Sequence, residues 1–77
     1  IKLTLTISID NNDNLIISKF EKVLSNLDLI YDFYIFKLNN KSNIYKIIFN
    51  GTPNQFLNVM KKKKYEFDIQ DRIWVLK

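Results

Sequence analysis

Cysteine and histidine are both absent from the 77 residues, and their absence limits the chemistry open to the chain. It can form no disulfide, no thiolate or imidazole metal site, and no Ser-His or Cys-His nucleophile pair. Glycine and proline occur once each, so Gly51 precedes a predicted helix without a glycine-rich phosphate loop around it. The Asp10–Asn14 loop lacks the glycine and glutamate of a calcium loop and is interpreted as a polar turn. The sequence therefore predicts a protein that is not an enzyme and carries no metal or cofactor.

Arginine also occurs only once, beside 11 lysines, in a chain of net charge +4. Phe, Tyr, Met, Ile, Asn and Lys make up 44 residues, whereas Gly, Ala, Arg and Pro make up three. This skew follows codon composition and indicates drift in an AT-rich genome more than selection for a polyanion. The run Lys61–Lys64 is interpreted as a helix end, where cations offset the helix dipole. Bidentate phosphate and guanine contacts favour the guanidinium group, which only Arg72 can supply, so the alternative function is non-specific nucleic-acid binding through lysines.

The chain is long enough for one domain and no second core. Apolar and aromatic residues account for 36 of 77, too many for a disordered segment. The sequence opens at Ile1 directly in a strand-like pattern. We therefore expect residues 1–77 to be a single domain cut from a longer protein.

Hydrophobic periodicity predicts alternating strands and helices. Leu3 to Ile9 alternates apolar and polar residues as a strand does. A helix should follow with Ile16, Phe20, Val23, Leu24 and Leu27 on one face; it starts at Asp13 or Asn14, or a turn later at Ser18. Thr52, Pro53 and Gln55 form an N-cap, first-turn proline and capping box for a second helix. The strands after the first are predicted at 29–38, 43–50 and 65–69, with a short final strand at 73–76.

The two halves of this pattern resemble each other, which indicates two interleaved βαβ units. Leu5, Ile7 and Ile9 correspond in spacing to Tyr45, Ile47 and Phe49. The predicted fold is therefore α+β: a ferredoxin-like βαββαβ two-layer sandwich. Its antiparallel sheet has strand order 4-1-3-2 with both helices on one face, and a short C-terminal hairpin is possible.

The same alternation predicts which strand residues point away from the helices. On the second strand Tyr31, Phe33 and Ile35 should face the helices. The opposite, open face should carry an apolar patch on the second and third strands, interrupted by Lys46. A patch of this size commonly marks a protein contact. The predicted contact residues are Ile30, Tyr34, Phe36, Ile44, Lys46, Ile48 and Trp74.

More than one interpretation of this patch stays open. It can contact another protein, either a second copy or another domain of the parent chain, or it can be covered by Trp74 and Leu76 of the chain's own tail.

RNA-recognition sheets stack bases on aromatics of their two central strands. Here those strands carry none, although Tyr34 and Phe36 on the edge strand could stack. Regulatory amino-acid-binding domains share the topology, but the glycine they place after the first strand is missing. A protein-interaction or structural module is the predicted function, without direct membrane contact.

The second half of the chain has a recognisable residue pattern, which consists of Ile44–Gly51, Pro53, Phe56-Leu57 and Trp74-Val75-Leu76. It resembles the C-terminal module of an uncharacterised family of bacterial secreted or envelope proteins. The resemblance implies a non-enzymatic interaction module outside the cytoplasm, with no catalytic residues to carry over.

Overall fold

Two helices and five strands make up residues 2–77, the part of the chain that this computed structural model describes. In chain order they are β1 (Lys2–Asp10), α1 (Asn14–Asn26), β2 (Ile30–Leu38), β3 (Ser42–Asn50), α2 (Pro53–Lys62), β4 (Phe67–Gln70) and β5 (Ile73–Leu76). The α+β class and the predicted C-terminal hairpin are confirmed. The fourth strand begins at Phe67, two residues later than predicted.

The sheet is mixed, with strand order β2-β3-β1-β5-β4. β1 pairs antiparallel with β3 along its whole length, and β2 pairs antiparallel with β3. On its other side β1 pairs parallel with β5, which pairs antiparallel with β4. The predicted antiparallel order 4-1-3-2 is therefore wrong, because β5 occupies the place expected for β4.

Side-chain composition explains why the two C-terminal strands take these positions. β5 is apolar at every residue, as is typical of a strand with neighbours on both sides, whereas β4 alternates with Asp68 and Gln70 and suits an edge. The loop between them has two residues, and Asp71 adopts a left-handed φ of 55° that aspartate tolerates. β5 therefore displaces β4 outward by one place.

Each helix starts at a cap that the sequence contains. The carboxylate of Asp13 accepts the N–H of Leu15 at 2.9 Å, so α1 begins at the earlier of the predicted positions and Ser18 lies inside it. Thr52 and Gln55 form the predicted capping box of α2. The predicted apolar stripe of α1 needs one correction: Ile17 packs against the core, whereas Ile16 is half exposed.

The core lies between the sheet and both helices, which pack on the same face. Phe20 and Leu24 of α1 and Phe56 and Met60 of α2 are fully buried against alternate residues of the central strands. The strand residues of this core are Leu5, Ile7, Ile9, Tyr45, Ile47, Phe49 and Phe67. The fold is thus two layers, with the other face of the sheet open.

Candidate protein-contact surface

Two β-bulges in β2 decide which of its side chains reach the open face. Phe33 and Ile35 are in register with the buried Ile47 and Tyr45, so they lie on the helix side as predicted. The register shifts between Ile30 and Asp32 and again between Ile35 and Lys37. Each shift inserts one extra residue, Tyr31 and Phe36, and a bulge interrupts the alternation of sides.

The first bulge overturns two predicted orientations. Ile30 is in register with the buried Phe49 and packs against the core, so its predicted place on the open face is wrong. Tyr31, predicted to face the helices, lies on the open face, where the Lys2 ammonium sits 3.7 Å from its ring centroid. No glycine or proline marks this bulge in the sequence. Strict alternation of sides therefore predicts the wrong side of the sheet for both residues.

Trp74 also lies on the helix side, contrary to its predicted place in the contact surface. It is in register with Ile7, whose side chain is fully buried, and its ring packs 6.0 Å from Phe56 and 6.3 Å from Phe67. Leu76 packs against the same core. The C-terminal strand extends the sheet in its own plane and therefore does not cover the open face.

The other predicted residues lie on the open face. Tyr34 is opposite Lys46, and Ile44 and Ile48 are on β3 beside it. The exposed fraction is 49% for Tyr34, 58% for Phe36 and 67% for Tyr31, while the two isoleucines are half-buried. We call the set Tyr31, Tyr34, Phe36, Ile44 and Ile48 the contact surface.

Two lysines lie over the aromatic rings of the contact surface. The Lys46 ammonium donates to Thr6 Oγ1 at 2.8 Å and lies 4.8 Å from the ring centroid of Phe36. Lys2 occupies the corresponding position over Tyr31. Each such pair contributes about 0.5–1 kcal/mol at an exposed site. The lysines thus hold aromatic side chains against the sheet and leave an outer surface that is apolar with a positive margin.

A hollow of about 210 Å³ lies elsewhere, where β1 meets α1 and the C-terminal strand. Its floor is apolar, from Ile9, Ile16 and Leu76, and its rim carries Asp10 and Asp13. Both carboxylates accept backbone N–H groups of their own turn, as a polar turn requires. The volume is below the roughly 300–1,000 Å³ of usual small-molecule sites. The contact surface is therefore the better candidate for function.

Within residues 2–77, no three Asp or Glu side chains come together in a way that could hold a metal ion. Over the same span neither helix is long and apolar enough to cross a membrane. No protein-family model matches the chain, and comparison with curated proteins and with solved structures gives no match either.

Proposed function

We propose that this chain is a non-enzymatic protein-interaction module that contacts another protein through the open face of β2 and β3. The observation that carries the proposal is the contact surface itself. Three exposed aromatic side chains and two isoleucines are contiguous on two neighbouring strands, and neither the helices nor the C-terminal strand covers them. Monomeric proteins seldom leave such a set in water, and aromatic residues are enriched where proteins meet.

We also propose that the fold is a variant of the ferredoxin-like sandwich in which the C-terminal hairpin inserts β5 between β1 and β4. The sheet is thereby widened at the edge opposite β2, which leaves the contact surface unobstructed. The bacterial origin, and the place outside the cytoplasm implied by the resemblance to secreted and envelope proteins, remain predictions.

Single-stranded nucleic acid is the second candidate partner, and one observation favours it. Tyr31, Tyr34 and Phe36 lie on an open sheet face beside Lys2 and Lys46, and exposed aromatics with nearby cations can stack bases. Against it, the Lys46 ammonium already bonds Thr6, and β2 also carries Asp32. We therefore rank protein contact first.

Light scattering over a concentration series tests the proposal, with the Tyr34→Lys, Ile48→Lys double variant as the comparison. We expect the wild type to gain mass with concentration and the folded double variant to remain a monomer. Circular dichroism checks folding, which should survive because Tyr34 is half exposed and Ile48 lies on the open face. Equal association of both proteins would overturn contact through this surface, and association of neither would exclude a second copy of the chain as the partner. Fluorescence anisotropy with a labelled oligonucleotide completes the test: saturable binding lost in the double variant would support the second candidate instead.

A further inference from the structure

The free edge of β2 is a second unusual feature of the same strand. β2 ends the sheet on one side, and seven of its nine residues are apolar or aromatic. Its helix side is exposed as well, because Ile35 is 44% and Leu38 63% accessible. Natural edge strands are usually short or carry charges that prevent pairing with another strand. This strand is long and mostly apolar, and its two charges, Asp32 and Lys37, are of opposite sign, so it is suited to pairing.

Helix-side and open-side residues follow one another along β2 in the same order in both directions from Tyr34. Register with β3 places Ile30, Phe33, Ile35 and Leu38 on the helix side and Asp32, Tyr34 and Lys37 on the open side. The two bulged residues, Tyr31 and Phe36, are also on the open side, under Lys2 and Lys46. Each half of the strand therefore has one helix-side residue, then two open-side residues, then another helix-side residue. A strand with this symmetry matches an antiparallel copy of itself.

We propose that β2 pairs antiparallel with β2 of a second copy of this chain, with the two-fold axis at Tyr34. This proposal goes beyond the proposed function, because it names a second copy as the partner and places the contact at the free edge of β2. Residues opposite each other in an antiparallel pair point to the same side of the sheet. In this register both members of every pair lie on the same side, as that geometry requires. The pairs are Tyr34 with Tyr34, Phe33 with Ile35, Asp32 with Phe36, Tyr31 with Lys37 and Ile30 with Leu38. The exposed Ile35 and Leu38 are then covered by apolar residues of the second copy.

Charge and register favour a second copy over an unrelated strand. The charged residues of β2 are Asp32 and Lys37, so the strand is neutral although the chain carries +4. In the proposed register Lys37 meets the Tyr31 ring of the second copy and lies next to its Asp32. A shift of one residue would place Phe33 opposite Phe36, which are on different sides of the sheet. An isologous two-fold contact uses one patch twice, as this self-matching strand allows.

The backbone of β2 already has a donor suited to this pairing. The N–H of Phe33 donates to the carboxylate of Asp32 at 2.8 Å, a side chain of its own strand. In the proposed pair this N–H is opposite Ile35 of the second copy and can donate to its carbonyl. Ladder hydrogen bonds would then form on both sides of the axis, with the two Tyr34 residues between them.

Single cysteines test the register, because the chain has none of its own. Residues facing each other across the pair have Cα atoms about 4.5–5.5 Å apart, within disulfide range. We expect Tyr34→Cys to form a covalent dimer on mild oxidation at least ten times faster than Phe36→Cys or Leu38→Cys. At a rise of about 3.4 Å per residue, equivalent cysteines at 36 and at 38 would be about 14 Å and 27 Å apart along the strand. Equal crosslinking at all three positions, or none at 34, would overturn the proposal.

A mixture of two variants gives a second measurement that does not change Tyr34. Tyr31→Cys and Lys37→Cys should each stay unlinked alone and form a mixed dimer when combined, because residue 31 faces residue 37. Both positions are exposed, so folding should be unaffected. Failure of the mixture to crosslink while Tyr34→Cys does so would contradict the register.

Substitutions with matched controls separate this proposal from the proposed function. Ile35→Lys should abolish dimers, whereas Ile69→Lys should not, since Ile69 is 53% exposed on the helix side of the opposite edge strand. Dimers that resist Ile35→Lys would overturn edge pairing. If Tyr34→Cys crosslinks in register while Ile48→Lys associates like the wild type, edge pairing stands and the face of β3 is excluded from the contact. If association is lost in the double variant but no cysteine links in register, the contact is face to face and edge pairing fails.

Discussion

At the scale of single residues, Tyr45 shows how the core accommodates a polar atom. Its side chain is fully buried between β3 and α1, and its hydroxyl donates to Glu21 Oε2 at 2.5 Å. Burial, and then the hydrogen bond to Glu21, raise the pKa of Tyr45 to about 12, while a hydrogen bond from Asn43 acts in the opposite direction. No buried side-chain N or O atom of residues 2–77 lacks a hydrogen-bond partner. The buried hydroxyl is therefore tolerated because it is bonded, and it stays protonated.

This raised pKa predicts a loss of stability in alkali. The unfolded tyrosine ionises near pH 10 and the folded one only near pH 12, so the free energy of unfolding is unaffected below about pH 10 and falls between pH 10 and 12. Tyr45→Phe removes the ionising group and should flatten the fall attributable to it, at a cost of about 1 kcal/mol in neutral solution. Urea unfolding of both proteins from pH 8 to 12 measures the difference, since lysine titration is common to both. Parallel pH profiles would contradict the assignment.

At the scale of elements, local signals decide where the helices begin and end. Thr52, Pro53 and Gln55 start α2 because the cap, the proline and the capping box are all within four residues. The end of α2 uses a backbone motif: Tyr65 N–H bonds the carbonyl of Met60 and Lys64 N–H that of Lys61. This is a Schellman pattern, in which the residue after the C-cap takes a left-handed conformation. The lysine run is thus a helix end, as predicted from the sequence.

Lys64 occupies that left-handed position with φ 69°, where glycine has no side-chain penalty. We expect Lys64→Gly to stabilise the chain by about 0.5–1 kcal/mol, because a left-handed conformation costs a side-chain-bearing residue roughly that much or more. Lys63→Gly is the matched control: it removes the same charge at φ −91° and should destabilise. Chemical denaturation of the three proteins decides the outcome. Destabilisation by both substitutions would show that φ at Lys64 is not the governing factor.

At the scale of the whole molecule, the class, the layer arrangement and most element positions follow from local pattern, whereas the sheet order and part of the contact surface do not. Leu5, Ile7 and Ile9 alternate cleanly, and β1 has no bulge to disturb them. The place of β5 depends on a tertiary competition with β4 for the edge of β1, and the local sign of its outcome is only that the four residues Ile73–Leu76 are all apolar. Tyr31 reaches the open face only because of a bulge, and no glycine or proline beside it indicates that bulge in the sequence. The predicted open-face orientation therefore holds for Tyr34, Phe36, Ile44, Lys46 and Ile48 and fails for Ile30 and Trp74, and a role of these residues in a protein contact stays a prediction.

Backbone hydrogen exchange at low and high protein concentration tests the central claim most directly. If the chain meets its partner through β2, the amides of β2 should exchange more slowly as concentration rises. Those of β4, the other edge of the sheet, should not change, which makes them an internal control. Residue-resolved NMR exchange rates distinguish the two edges. Protection that grows in β4 or on the helices, or a β2 edge whose exchange is the same at every concentration, would contradict the account.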